Sequence, residues 1–153
     1  MAIRGSRVLG FTLLELMMVV GLLGIVTAGS ALVVAAFRGG ATLDAATHEL
    51  AADLHDARVL AIASAARARL TFVRGATSYR VERADETGAF HPTAERVLPR
   101  GIRIADANSG GDLVFSARGN AENGTVVLVD RRGLHASVRL NQRGRVTIDR
   151  GRT

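Results

Sequence analysis

The sequence predicts an α+β protein in which a long, hydrophobic N-terminal helix packs on a C-terminal antiparallel β-sheet domain. Three patterns indicate this fold. Residues 16–37 carry no charge, apolar residues then recur at three- and four-residue steps as far as position 66, and alternating apolar residues follow from position 67. A length of 153 residues suits one domain with an appendage.

The composition excludes several kinds of chemistry. There is no Cys, so the chain has no disulfide, no Cys-ligated metal and no thiol nucleophile. All 20 basic residues are Arg, which excludes a Schiff-base Lys and a Lys-dependent phosphate loop. With 14 acidic residues the formal net charge is +6, which suggests anionic partners.

The first element is a basic leader, residues 1–10, followed by a transmembrane half-helix at 11–37. Arg4 and Arg7 lie in the leader without an acid, which predicts a cytoplasmic N-terminus and an exported C-terminal part. The uncharged run would make a helix of about 33 Å, long enough for a hydrocarbon core. An ordinary secretory signal, cleaved near the small residues at 28–30, is the alternative.

Glu15 is the unusual residue of this segment. A carboxylate costs about 2.5–3.5 kcal/mol at the centre of a membrane helix and less near an interface. Cleavage after Gly10 would place a positive amine on Phe11, about 6 Å along the same helix. We expect Glu15 to pair mainly with the terminal amine of a neighbouring chain, which would set the stagger between subunits.

Residues 10–16, Gly-Phe-Thr-Leu-Leu-Glu-Leu, resemble the class III prepilin signal of type IV pilins and type II secretion pseudopilins. The resemblance implies that prepilin peptidase cleaves after Gly10 and methylates Phe11, and that Glu15 is the acid required for subunit docking. The helix departs from major pilins because it has no Pro.

The second half of the helix is predicted at 38–66. The pair Gly39 and Gly40 could mark a joint, but the periodic pattern continues beyond it. Six residues form the apolar face: Leu43, Ala46, Leu50, Leu54, Ala57 and Ala61. The opposite face carries Asp44, Glu49, Asp53, Asp56 and Arg58.

Residues 67–153 are predicted as a β-rich periplasmic domain of about seven short antiparallel strands. Apolar residues alternate at seven places, between breaks that contain Gly or Asn. The pairs are Leu70/Phe72, Tyr79/Val81, Ile102/Ile104, Leu113/Phe115, Val126/Leu128, Val138/Leu140 and Val146/Ile148. One face of this sheet should be covered by the amphipathic half of the helix.

The distal strands are similar to those of GspH/FimT-like pseudopilins. Five positions carry the likeness: Phe115, Gly119, Gly124, Gly144 and Arg145. Residues 73–111 match only in length and type. The resemblance implies a minor pseudopilin of the type II secretion system, in the inner membrane and then at or near the pseudopilus tip. Its implied partners are other pseudopilins, prepilin peptidase and inner-membrane lipid, without a small-molecule substrate.

Polar clusters give little sign of catalysis. His48 and His55 share a helix face and Asp44 lies one turn before His48, which could seed a metal site, but solvated helix positions explain them better because nothing else in the sequence completes a ligand set. There is no nucleophile-elbow spacing and no phosphate-binding loop. We therefore predict no enzymatic activity, no metal and no cofactor.

The Arg-rich C-terminal end supports an alternative function. From position 131 onwards seven Arg face a single acid, Asp149. The seven are Arg131, Arg132, Arg139, Arg143, Arg145, Arg150 and Arg152. Such a stripe could contact phosphates, as in FimT-like minor type IV pilins associated with DNA uptake. Thr147 stands where a second Arg of that pattern would be expected, so nucleic acid is the less favoured partner.

Overall fold

The computed structural model of the chain describes residues 12–151, without the side chains of 28–39 and 109. Leader residues 1–10, Phe11 and Arg152 lie outside the described residues. Two compact units divide the chain between Arg38 and Gly39. The N-terminal helix and the antiparallel sheets confirm the α+β prediction.

Helix α1 runs from Leu13 to Ala63 and passes the two consecutive glycines without a break. It ends three residues before the predicted position because Ala65 adopts a left-handed φ of 48°. The amide of Ala66 then donates to the carbonyl of Ala61, and that of Ala65 to Ile62. These two bonds form a Schellman motif, with Ala where Gly is usual.

The described apolar side chains of the first unit are all exposed, among them Leu13, Leu14 and Met17. Among the residues whose side chains are described, which leave out 28–39, no helix is both long enough and apolar enough to cross a membrane. The transmembrane half predicted at 11–37 extends into residues whose side chains are not described.

The second unit contains the rest of α1 and eight strands. The strands are β1 (Ala68–Phe72), β2 (Ser78–Ala84), β3 (Phe90–Val97), β4 (Arg103–Ala107), β5 (Asp112–Phe115), β6 (Gly124–Val129), β7 (His135–Leu140) and β8 (Val146–Arg150). They form two four-stranded antiparallel sheets, in the orders β3-β2-β1-β5 and β4-β6-β7-β8.

Strand β3 is absent from the sequence prediction, which had about seven strands and a single sheet. Its residues are exposed or half-buried throughout, because it is an edge strand. Without a buried face it shows no apolar alternation, which was the signal used to find strands.

One hydrophobic core joins the helix to both sheets. All six apolar positions predicted on the helix are buried in it, which confirms that face. Leu70 and Phe115 contribute from the first sheet, and Val126 and Val138 from the second. Asp53 was assigned to the polar face but is only 8% exposed.

Candidate functional site

Glu15 lies in the first turn of α1 and is exposed, as are its neighbours Leu14 and Leu16. The backbone amide of Glu15 donates to the Thr12 hydroxyl at 3.2 Å, so Thr12 caps the helix. The helix thus begins at Leu13, three residues after Gly10, the residue of the predicted cleavage. Gly10 and Phe11, the other two residues of that prediction, lie outside the described residues.

In the second unit, Arg58 on the helix ties two loops together. Its Nε donates to the carbonyl oxygen of Gly119 at 3.0 Å, and a terminal nitrogen donates to that of Gly144 at 3.5 Å. The two glycines lie in the β5–β6 and β7–β8 connections. Helical periodicity in the sequence placed Arg58 on the solvated face. It gave no sign of the two carbonyls that Arg58 binds, because these lie 61 and 86 residues away along the chain.

The same glycines show why a side chain is not tolerated at these points. Both have left-handed φ angles, 78° at Gly119 and 71° at Gly144. A Cβ on Gly119 would lie 2.7 Å from Ile62 Cδ1, and one on Gly144 would lie 2.6 Å from the Gly119 carbonyl oxygen. A Cβ on Gly124 would collide with the side chain of Leu113. Together with Phe115, which lies in the hydrophobic core, four of the five positions that carry the GspH/FimT resemblance therefore have a packing role.

A buried polar contact fastens the helix to the first sheet. The Tyr79 hydroxyl donates to Asp53 Oδ2 at 2.6 Å, and Arg96 Nε donates to the same oxygen at 3.2 Å. Burial, and then the hydrogen bond to Asp53, raise the pKa of Tyr79 far above its ordinary value. Asp53 thus retains two donors, which is the usual condition for a buried carboxylate.

The Arg residues predicted to form one stripe are distributed over two ends of the second sheet. Arg131 and Arg132 lie in the β6–β7 turn, while Arg143 and Arg145 lie at the β7–β8 turn, one strand length of about 20 Å away. Arg139 projects from the strand between them.

Two of the predicted Arg residues form ion pairs. Arg139 contacts Asp149 at 3.4 Å, and Arg150 contacts Asp44 of the helix at 3.0 Å. Among the described residues, Arg143 and Arg145 have no carboxylate partner.

A shallow cavity of about 400 Å³ opens beside Arg145. Arg139, Arg145 and Thr147 line it, with side-chain amides from Asn108 and Asn141. Over residues 12–151, no three His, Asp or Glu side chains are grouped as metal ligands. The arrangement offers hydrogen bonding and positive charge, without a nucleophile paired to a base.

Comparison with protein families gives two matches. Residues 46–150 match the family described as type II transport protein GspH, and residues 5–31 match the prokaryotic N-terminal methylation motif. The methylation motif implies anchoring in the inner membrane and a place in the pseudopilus. The family implies assembly with other pseudopilins and processing by prepilin peptidase. No curated protein sequence matches the chain.

Solved structures with the same fold include the minor pseudopilin EpsH of the Vibrio cholerae type 2 secretion system. It is 12% identical, with 71% of this chain and 96% of EpsH covered and a TM-score of 0.61. The Pseudomonas aeruginosa type IV minor pilin FimU is 18% identical, with coverages of 74% and 92% and a TM-score of 0.58.

Escherichia coli GspH is 13% identical, with coverages of 70% and 87% and a TM-score of 0.56. At such identities these likenesses establish the pilin-like fold alone. The family match covers more than half of the chain, from the amphipathic part of α1 to the last residue of β8. The chain therefore belongs to the type II transport protein GspH family, the minor pseudopilins of type II secretion, which are structural subunits and not enzymes.

Proposed function

We propose that the chain is a structural subunit at or near the tip of the pseudopilus. Prepilin peptidase cleaves it after Gly10 and methylates Phe11. The helix then holds it in the inner membrane as a single-pass protein, with the β-rich domain in the periplasm. Assembly with other pseudopilins moves it from the lipid into the filament.

The observation that carries this proposal is the order of the two family matches along the chain, which helix α1 connects. The methylation motif at 5–31 precedes the GspH match at 46–150, and α1 belongs to both. Exposed apolar side chains such as Leu14 and Met17 supply association without specificity. A pair between Glu15 and a neighbour's terminal amine supplies the stagger that apolar contact lacks.

Substitution of Glu15 tests the docking role. Glu15→Leu should still insert in the membrane but should abolish incorporation into filaments, measured by shearing and immunoblotting, together with secretion. Glu49→Leu is the matched control, because Glu49 is an exposed acid on the same helix. Normal incorporation of the Glu15→Leu chain would refute the ion-pair role.

Mass spectrometry of the mature chain tests the processing. A methylated Phe11 at the N-terminus is the expected result. A start near Ala31 would mean ordinary signal removal, and an intact leader on a fully competent protein would exclude the peptidase step.

The tip position has a separate test. Because the chain has no Cys, a single Cys introduced at the exposed Thr87 can be labelled uniquely with gold. Label at one end of each filament is expected. Label spaced along the shaft would contradict the tip position and leave the rest of the proposal intact.

A second candidate function, a DNA-binding minor type IV pilin, is supported by two neighbouring cations in the β7–β8 connection, Arg143 and Arg145, which have no carboxylate partner among the described residues. If it applies, the full chain in detergent should shift duplex DNA in a salt-sensitive manner. Arg143→Gln with Arg145→Gln should then weaken the shift, while Arg80→Gln, on the other sheet, should not. No shift at moderate ionic strength would exclude this candidate.

A further inference from the structure

The two sheets of the second unit have four outer edges, and two of these are covered by the chain itself. At the edge of β4, the amide of Gly75 donates to the carbonyl of Ile104 at 2.8 Å, and the amide of Ile104 donates to Ala76 at 3.0 Å. At the edge of β5, Phe115 pairs with Ala121 in an antiparallel bridge. Both edges therefore have little capacity for another strand.

The third edge, that of β3, is protected in a different way. Pro92 lies within the strand and has no amide hydrogen. The register with β2 shifts beside it, since Val81 pairs with Ala94 while Glu82 pairs with Pro92, which leaves Thr93 as a bulge. Proline and bulges are the usual devices that keep an edge strand from pairing with other chains.

The fourth edge, that of β8, lacks these devices. Its five residues contain no Pro or Gly, and its register with β7 is continuous from Val146 to Arg150. Within residues 12–151, no strand pairs with β8 on the side away from β7.

The hydrogen-bond pattern shows which backbone groups point outwards from this edge. The amide of Asn141 donates to the carbonyl of Arg145 at 3.1 Å, so this opposed pair is hydrogen-bonded. Antiparallel pairs alternate between bonded and non-bonded. The N–H and C=O groups of Val146, Ile148 and Arg150 consequently point away from β7.

The side chains around the edge define what could bind there. Val146 packs against the hydrophobic core and Ile148 is half-buried on the same face of β8. Thr147 lies on the opposite face, beside the cavity that Arg139 and Arg145 line. Since Arg139 is paired with Asp149 and Arg145 is not paired with a carboxylate, this face has unbalanced positive charge.

We propose that the outer edge of β8 binds an extended segment of a neighbouring, different pilus subunit, which adds to the second sheet as a fifth strand. The segment carries apolar side chains opposite Val146 and Ile148. Opposite Thr147 it carries a carboxylate that reaches Arg145. The identity of the partner as a filament subunit rests on the proposed function. The observation that the edge of β8 is open does not depend on it.

Such strand addition combines two sources of binding energy. Main-chain hydrogen bonds to the three outward residues give affinity, and the alternating side chains give specificity. Cross-strand neighbours lie about 5 Å apart, which brings a glutamate opposite Thr147 within reach of the Arg145 guanidinium.

The test uses the full chain in non-ionic detergent and the synthetic peptide acetyl-Thr-Val-Glu-Val-Thr-amide. Amide hydrogen exchange at Val146, Ile148 and Arg150 should slow by about tenfold on saturation, while exchange at Thr147, already bonded to β7, changes little. A peptide N-methylated at both valines should not protect, and one with Lys in place of Glu should bind more weakly.

Two variants distinguish the effect of losing an outward N–H group of β8 from the effect of losing the Ile148 side chain. Ile148→Pro removes an outward N–H but no bond to β7, so the fold should persist while peptide protection is lost. Ile148→Ala keeps the N–H and is the matched control, which should still be protected.

Each remaining outcome overturns a stated part of the proposal. Absence of protection, or equal protection by the N-methylated peptide, would exclude strand addition. Equal binding of the Lys peptide would exclude the acidic occupant. Protection that rises with protein concentration without peptide would identify a second copy as the occupant. If the peptide does not bind, the results expected for Glu15 and Phe11 are unchanged. If the Glu15 and Phe11 experiments contradict the proposed function, binding of the peptide to β8 is still expected.

Discussion

Two glycines in successive turns of the second sheet provide a test of the packing argument. Gly144 and Gly133 both have left-handed φ angles, 71° and 85°. A Cβ on Gly133 would meet nothing within 4 Å, whereas one on Gly144 would meet the Gly119 carbonyl oxygen at 2.6 Å and Arg58 Nε at 2.8 Å. Alanine at Gly133 therefore adds backbone strain alone, and alanine at Gly144 adds strain and a collision.

The expected magnitudes follow from these two terms. Left-handed backbone costs a residue with a Cβ about 1–2 kcal/mol, which is the expected loss of stability for Gly133→Ala. Forcing extra atoms into a packed site costs about 1–3 kcal/mol. Gly144→Ala should therefore lose about 2–5 kcal/mol, and the excess over Gly133→Ala should be about 1–3 kcal/mol.

The assay is urea unfolding of the full chain in non-ionic detergent, followed by tyrosine fluorescence. The chain has one Tyr and no Trp, and Tyr79 is only 3% exposed, so the signal reports the core of the second unit. A difference below about 0.5 kcal/mol between the two variants would refute the collision. In an Arg58→Ala background the excess should shrink, because the Arg58 side-chain atoms that a Cβ on Gly144 would meet are gone.

Two further predictions concern pH. Burial and the hydrogen bond to Asp53 raise the pKa of Tyr79 above its ordinary value of 10.0. The contribution of Tyr79 to the free energy of unfolding is therefore fully present below pH 10.0 and decreases as the pH rises further. Phenolate absorbance should rise only as native circular dichroism is lost; ionisation near pH 10.0 in the folded protein would contradict this. Hydrogen bonds from the Thr87 hydroxyl and, to a smaller extent, His91 lower the pKa of Asp85 below its usual 3.8. The contribution of Asp85 to the free energy of unfolding is therefore present above that pH and is lost as the pH falls. Asp85→Asn should speed amide exchange at Thr87 and Ala89, which donate to Asp85 Oδ1, and Glu86→Gln should not.

Local periodicity was sufficient for the fold class and for the buried face of the helix. Leu43, Leu50 and Leu54 recur at helical spacing, and that spacing places them on one side of a helix in any tertiary context. The end of the helix was less predictable. A left-handed Ala65 closes it, and Ala carries no sequence signal for that conformation.

The candidate site divides in the same way. Gly10, Phe11 and Glu15 were identified from a contiguous motif, and the family comparison covers that region. The Arg residues near the C-terminus could be listed but not placed. Their positions depend on strand pairing, which sends Arg131 and Arg145 to opposite ends of β7.

The amino-acid sequence alone determined the long helix, its buried face and the β-rich remainder, and it supplied the acid that we propose for docking, because each is encoded within a few turns or strands of chain. Tertiary structure alone decided that Asp53 is buried under Tyr79, that Arg58 joins two distant loops and that β8 is the edge without protection. These features arise from contacts between residues far apart in the chain, and a one-dimensional pattern does not specify which distant segments meet.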